Sequence, residues 1–200
     1  MTAAAARRRL EEFFGRPAEL VAPDLLGSRV ACQGVTVRLT EVEAYSGLAD
    51  PASHAFRGLT RRTAVMFGPA AHVYVYFVYG AHWAMNLVCQ DDGVAAAVLL
   101  RAGEVVDGED TARGRRGSRV RHAHLGRGPG NLTSCLGVTG GMSGSNLWDG
   151  PVRWSPADAP APHTWGPRVG VSRAADVAWR VWIPGDPTVS AYRRHTPRRG

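Results

Sequence analysis

Lysine is absent from this chain of 200 residues: all 24 of its basic residues are arginine. Without a side-chain amine, Schiff-base lyases, pyridoxal-phosphate enzymes and lysine-containing phosphate loops are excluded. Cysteine is scarce. Cys32, Cys89 and Cys135 are odd in number, far apart and without a CxxC. That spacing argues against a disulfide scaffold or a zinc site and makes a reducing cytoplasm the expected compartment. Neither the HxE nor the PCxxC of a zinc deaminase is present, so no metal and no cofactor are expected. Long apolar runs are missing too, and none approaches the roughly 18 residues of a membrane helix. The start, MTAAAARRRLEEFFG, has a double arginine but no apolar stretch behind it, which excludes a secretory or twin-arginine signal. There is no internal repeat.

What is present is a soluble-domain composition, 44% hydrophobic and 20% charged, which is wrong for a disordered chain. At this length one domain is expected, spanning 1–200, with loose ends at 1–18 and 191–200. Such a chain buries roughly 70% of its unfolded surface, enough for a core and a cleft. The charge is uneven. Residues 1–100 hold nine arginines and nine acids, whereas residues 101–200 hold 15 arginines and eight acids. The stretch TARGRRGSRVRHAHLGRGPG, residues 111–130, has six arginines, two histidines and no acid. It reads as a basic Gly/Arg-rich loop over 105–128 that suits a polyanion, with nucleic acid the first candidate.

Periodicity supplies the elements. Residues 7–20 carry a helical apolar pattern interrupted at Gly15 and Pro17, and a second short helix is expected in APDLLGS, residues 22–28. Residues 35–45, VTVRLTEVEAY, alternate strictly and read as a strand. Val35, Val37 and Leu39 lie on its apolar face, and the alternation continues onto Glu41, Glu43 and Tyr45. Two carboxylates closing an apolar row break the binary pattern, and such violations are where function is expected. Residues 46–70 form a long loop containing His54, Arg57, Arg61 and Arg62. Residues 72–105 read as three strands. Tyr74 and Tyr76 share a face of the first, Tyr79 sits at the tip of a hairpin, and Leu99 and Arg101 share a face of the third. A short helix is expected in 131–141, irregular chain in 150–167, and final strands in RVGVS (168–172) and 177–190.

Tyrosine faces stack on flat, and better on cationic, heterocycles. A carboxylate beside them can deprotonate a water and stabilise positive charge developing on a sugar. EVEAYSGLADPASHAF, MFGPAAHVYVYFVYGAHWAMNLV, VLLRAGE, GRGPGNL and PRVGVS, in this order, resemble the 3-methyladenine (alkyladenine) DNA glycosylase family over about Leu20 to Ser190. The resemblance implies an α+β fold. It is a single domain with a curved, mainly antiparallel sheet, peripheral helices and a protruding hairpin, akin to formyltransferase C-terminal domains. It implies a monomer acting on double-stranded DNA that contains damaged purines, with water as nucleophile and no cofactor. Glu43 matches the catalytic carboxylate, Arg101 the arginine that helps hold the water, and Val169 the residue whose carbonyl completes its grip. Tyr45, His54 and Tyr76 match the residues that sandwich and hydrogen-bond the extruded base, and Asn86 the one that disfavours guanine. Tyr79 matches the wedge into the duplex. Arg62 and Arg127 fall to DNA contacts; Asn131 stands where the family has lysine, so a phosphate contact is either lost there or moved to Arg127. Thr63 and Ala81 are further departures. The alternative is a non-catalytic nucleic-acid-binding module of the same fold.

Overall fold

A computed structural model describes residues 2–78 and 80–196. Its elements in chain order are α1 (Ala3–Phe14), α2 (Ala18–Asp24), β1 (Arg29–Cys32), β2 (Val35–Tyr45), β3 (Val73–Val78), β4 (His82–Val88), β5 (Ala97–Asp107), α3 (Glu109–Arg116), β6 (Gly126–Arg127), α4 (Pro129–Leu136), β7 (Val152–Ser155), β8 (Thr164–Gly166) and β9 (Arg180–Trp182). Three short 3₁₀ turns occupy the segment between β2 and β3. The strands form one antiparallel sheet in the order β3-β4-β5-β2-β1-β7. β6 adds to β5, and β9, carrying β8, adds to the free edge of β2 beyond β1. This is the expected α+β fold, a curled sheet with peripheral helices.

β2 is the axis of the sheet, and its register is irregular. Between Leu39 and Glu41 it gains one residue against β5, and between Glu41 and Val42 β5 gains one in return at Arg101. A bulge changes which side of the strand faces which layer. Val35, Val37 and Leu39 lie in the main core, but beyond the bulge Val42 and Ala44 take their place there. Glu41, Glu43 and Tyr45 are thereby released from the core face on which simple alternation puts them.

The main core fills one side of the sheet with Val73, Val75, Met85, Leu87, Val98 and Leu100, packed under α2 and α4. The other side carries a smaller cluster around Met66, Tyr74 and Val88. Full burial of each large apolar side chain contributes roughly 1.5–3 kcal/mol.

Several expectations are corrected. The loose N-terminal end is helix α1. Its Thr2 hydroxyl accepts the Ala5 amide, and Phe13 and Phe14 pack on Trp154 with ring centroids 4.6 and 5.1 Å away. That anchor lies 140 positions along the chain, beyond the reach of local patterning. The 105–128 loop is instead the end of β5, then α3, then β6. α3 has acids in its first turn and arginines in its last, as the helix dipole favours. Its arginines also fasten backbone: Arg113 donates to the Val120 carbonyl (2.7 Å), Arg115 to Cys135 (2.8 Å) and Arg116 to Leu125 (3.0 Å). RVGVS is irregular, while β7 and β8 occur in the segment expected to lack strands. The second helix starts earlier than expected, at Ala18 after Pro17, and carries Pro23 inside it. Residues 191–196 have no regular structure, and 197–200 lie outside the described residues. Among the described residues no helix is long and apolar enough to cross a membrane.

Candidate active site

One row of cross-strand neighbours builds the site. Tyr74 of β3 faces Asn86 of β4, which faces Leu99 of β5, which faces Glu43 of β2, which faces Arg180 of β9. Directly opposed residues share a side of the sheet. The row therefore presents an aromatic, an amide, an aliphatic, a carboxylate and a guanidinium in sequence along one surface. The loop after β2 folds over it and encloses a cavity of about 610 Å³. Gly47 starts this loop at φ +54°, where a Cβ would lie 1.9 Å from the Ala95 carbonyl oxygen, so only glycine permits the approach. Arg168 locks the loop by a bidentate, fully buried pair with Asp50. Thr63 is buried and exchanges hydrogen bonds with Thr60 while donating to the Gly58 carbonyl (3.1 Å). Thr63 thus holds the loop together.

Glu43, Tyr45, His54, Arg62, Tyr76, Asn86, Arg101 and Val169 all line this cavity. Glu43 is fully buried, and each of its oxygens is held. Oε1 accepts the Val169 amide (2.7 Å) and lies 3.3 Å from Arg101 Nη1; Oε2 accepts the Tyr45 hydroxyl (2.9 Å). The structure thus joins Val169 to Glu43 through its N–H. Burial, and then the neighbouring Glu43 carboxylate, push the Tyr45 phenol well above its ordinary value, so it remains the donor. The Arg168 guanidinium lies 4.6 Å from the centre of the Tyr45 ring and 5.1 Å from that of Trp179, which orients the tyrosine.

His54 stands at the mouth, 4.4 Å from Tyr76 between ring centroids and nearly edge-on. Burial and then the Arg62 charge lower its pKa to about 4, so the ring is neutral at physiological pH. Arg62 Nη2 lies 3.4 Å from Nε2 and can only donate, which places the imidazole proton on Nδ1, 3.1 Å from the Tyr74 hydroxyl. Burial pushes Tyr76 up to about 12. Asn86 is pinned by its amide to the Tyr74 carbonyl (3.1 Å).

Arg127 lies elsewhere: it lines a second cavity and donates from Nε to the Val189 carbonyl (2.8 Å). Tyr79 lies outside the described residues, although β3 and β4 do form the expected hairpin around it, with Val78 opposite His82. Asn131 donates to the Arg127 carbonyl (2.7 Å).

Sequence reasoning noticed Glu41 as a broken pattern but gave it no role. It is fully buried and accepts Arg101 Nε (2.8 Å), Arg180 Nε (2.7 Å), and the Ser190 amide (2.7 Å) and hydroxyl (2.8 Å). Burial alone would raise its pKa; Arg101, Arg180 and Ser190 outweigh burial and hold it below its ordinary value. Burial disfavours the Arg101 cation, yet Glu43 and Glu41 more than compensate, so it stays charged. Glu41 is therefore the clamp that aims Arg101 at Glu43. Arg168, Asp50, Arg180 and Ser190 carried no periodic signal; only the place of Arg168 beside Val169 pointed to it.

The arrangement is a carboxylate fixed on both oxygens, beside a guanidinium, within flat aromatic walls. It can take a proton from a water and hold a planar heterocycle above a developing cation.

The profile of the methylpurine-DNA glycosylase family matches residues 12–187. A Cutibacterium acnes protein is 54% identical over 185 residues, covering 88% of this chain and 96% of the relative. A Streptomyces avermitilis protein is 50% identical over 199 residues, covering 94% and 93%. A Nocardia farcinica protein is 53% identical over 184 residues, covering 87% and 86%. All three bear the name "Putative 3-methyladenine DNA glycosylase".

Proposed function

The chain belongs to the methylpurine-DNA glycosylase family, and from that premise we propose that it excises alkylated or deaminated purines from double-stranded DNA by a water activated at Glu43. The observation that carries the reading is Glu43 itself, buried at the inner end of an aromatic-walled cavity and held by Val169, Arg101 and Tyr45.

The damaged nucleotide is turned out of the stack into this cavity, as any enzyme that acts on a base within a duplex requires. Tyr45, Tyr76 and His54 sandwich the base, and a cationic alkylated purine gains most from that contact. Glu43 takes a proton from water as the oxygen bonds to C1′ and the N-glycosidic bond breaks. The bonding pair leaves with the purine: a base carrying a methyl-derived positive charge departs neutral, and a neutral base such as hypoxanthine departs as an anion that takes up the proton released from the water. Arg101 and the Val169 carbonyl orient the water, and Asn86 meets the 2-amino group by which guanine differs. Tyr79 fills the vacated place in the stack, a role that suits a hairpin tip in the minor groove, while Arg62 and Arg127 meet phosphates. The chain acts as a monomer. It has no lysine to form an imine with the opened sugar, so the product is an abasic site in an uncut strand. The lesion classes are 3-methyladenine, 7-methylguanine, hypoxanthine and ethenoadenine.

The test is single-turnover excision from duplexes with one hypoxanthine or ethenoadenine, and 3-methyladenine release from methylated DNA, for wild type and Glu43→Gln. Strand breakage only after alkali, slowed by about 10²–10⁴-fold in the variant, is the expected result. Release of no lesion by wild type would leave a DNA-binding module. Equal activity of the two proteins would remove Glu43 from the mechanism.

A further inference from the structure

We propose that the second cavity is a phosphate-binding site, and that the phosphate it takes is a backbone phosphodiester of DNA outside the extruded nucleotide. The choice of DNA as the source rests on the function proposed above; the choice of phosphate does not.

The cavity measures about 420 Å³ and is lined by Arg116, Arg119, Arg121, Arg127, His124 and Asn131 together with Val120. Four arginines thus share one lining. Of the two acids that open α3, Glu109 is taken by Arg113 and His122, and Asp110 forms no ion pair with any arginine of the cavity. Among the described residues no carboxylate pairs with any of the four cavity arginines. Elsewhere the protein matches its buried cations with care: Arg101, Arg168 and Arg180 each meet a carboxylate. Like charges gathered without a counter-charge repel, and here the fold holds them together. Arg116 is tied through Nε to the Leu125 carbonyl (3.0 Å). Arg127 is tied through Nε to Val189 and through Nη1 to His124 Nε2 (3.1 Å). Those bonds fix the stems at Nε and leave both terminal amino groups of Arg116 to a ligand. Since Arg127 can only donate, His124 accepts at Nε2, and its remaining ring proton sits on Nδ1. The lining is thus rich in donors and poor in acceptors.

Such a set selects an anion with several oxygens. Guanidinium forks bind phosphate bidentately, and four of them around one opening exceed what a single carboxylate could use. The position favours a backbone source. Pro129, at the start of α4, lines the first cavity, and Asn131 lines the second. The two openings therefore flank the same helix end. Val189, which Arg127 grips, precedes Ser190, which caps Glu41 behind the active site. A strand whose nucleotide enters the first opening has the second beside it.

Among the described residues the side chains of Arg119 and Arg121 form no hydrogen bond or ion pair, and the one backbone bond here, from the His124 amide to the Arg121 carbonyl (2.8 Å), survives a side-chain change, so their replacement removes charge without loosening the fold. Two binding measurements compare wild type with Arg119→Gln/Arg121→Gln: affinity for undamaged duplex against salt, and the rise in Tm with inorganic phosphate. If the cavity takes a backbone phosphate, the slope of log K on log salt becomes shallower by about 0.9 in the variant, the loss of one neutralised phosphate. An unchanged duplex slope with a phosphate-dependent Tm rise in wild type alone would keep the site but assign it to free phosphate. An unchanged slope with no phosphate response would overturn the proposal. Neither measurement depends on excision, so an inactive glycosylase and an empty second cavity are separate results.

Discussion

Glu41 and Glu43 stand two positions apart on one face of β2, both fully buried, and their surroundings differ in kind. Glu41 is enclosed: two arginines and the backbone and hydroxyl of one serine occupy its oxygens. Glu43 has one amide, one phenol and one more distant guanidinium, and it borders a cavity. The contrast shows that burial by itself does not make a carboxylate catalytic. A buried charge surrounded by donors stabilises and positions; one with the same burial and open space beside it can exchange a proton with a guest.

The comparison can be broken from either side. Glu43→Gln should cost most in rate, by about 10²–10⁴-fold, and little in stability, under about 1 kcal/mol, because Arg101 keeps Glu41. Parallel excision and thermal melts check this; a large fall in Tm with intact excision would reverse the assigned roles. Glu41→Gln should cost most in stability, about 3–5 kcal/mol, since it leaves Arg101 and Arg180 buried without their charge partner. Denaturant titration reads that loss directly. The same variant should flatten the acid limb of the stability curve. Glu41 is held below its ordinary value when folded. Its contribution is therefore complete above the unfolded carboxylate value of about 4.3 and lost as pH falls through the lower folded value.

Tyr45→Phe sharpens the difference more gently. It keeps the ring above Arg168 and removes one bond to Glu43, for an expected loss of about tenfold in excision, near the net worth of one hydrogen bond to a charged group. A change confined to substrate affinity would mean that Tyr45 only stacks. The smallest effect is expected at His54, whose pKa is about 4. Its folded state stays neutral while an unfolded histidine protonates, so its contribution to stability is full above about pH 6.5 and declines towards pH 4. Arg62→Gln should move the His54 ring resonances to a higher titration midpoint, because one of the two causes of the depression is gone. An unmoved midpoint would leave burial as the sole cause.

Much of the site was legible in residues 35–45 alone, because a strand bordered by turns shows its period without help. The bounds of β2 coincide with the alternating run, and EVEAY announced two carboxylates and a tyrosine out of pattern. The face was misread for a local reason. Alternation carries Val35, Val37 and Leu39 straight on to Glu41 and Glu43, and nothing in those letters marks the bulge that moves the acids off the core side. The N-terminal segment, helical in pattern from residue 7, was misread as a loose end for the opposite reason: its stabilising partner, Trp154, is distant. The basic stretch looked unstructured because Gly and Arg dominate it, yet its arginines hold backbone carbonyls brought near only by folding.

By itself the sequence determined the all-arginine chemistry, the strand period, the uneven charge and the order of motifs that carried the resemblance. These are local or compositional properties, readable without knowing what lies opposite. The tertiary structure alone decided which carboxylate is sealed and which is open. The groups responsible, the amide of Val169, Arg180 and Ser190, reach β2 across 126, 139 and 149 positions of chain. A charge taken out of water must be compensated by whatever packs against it, and packing partners so far apart in sequence meet only in the folded sheet.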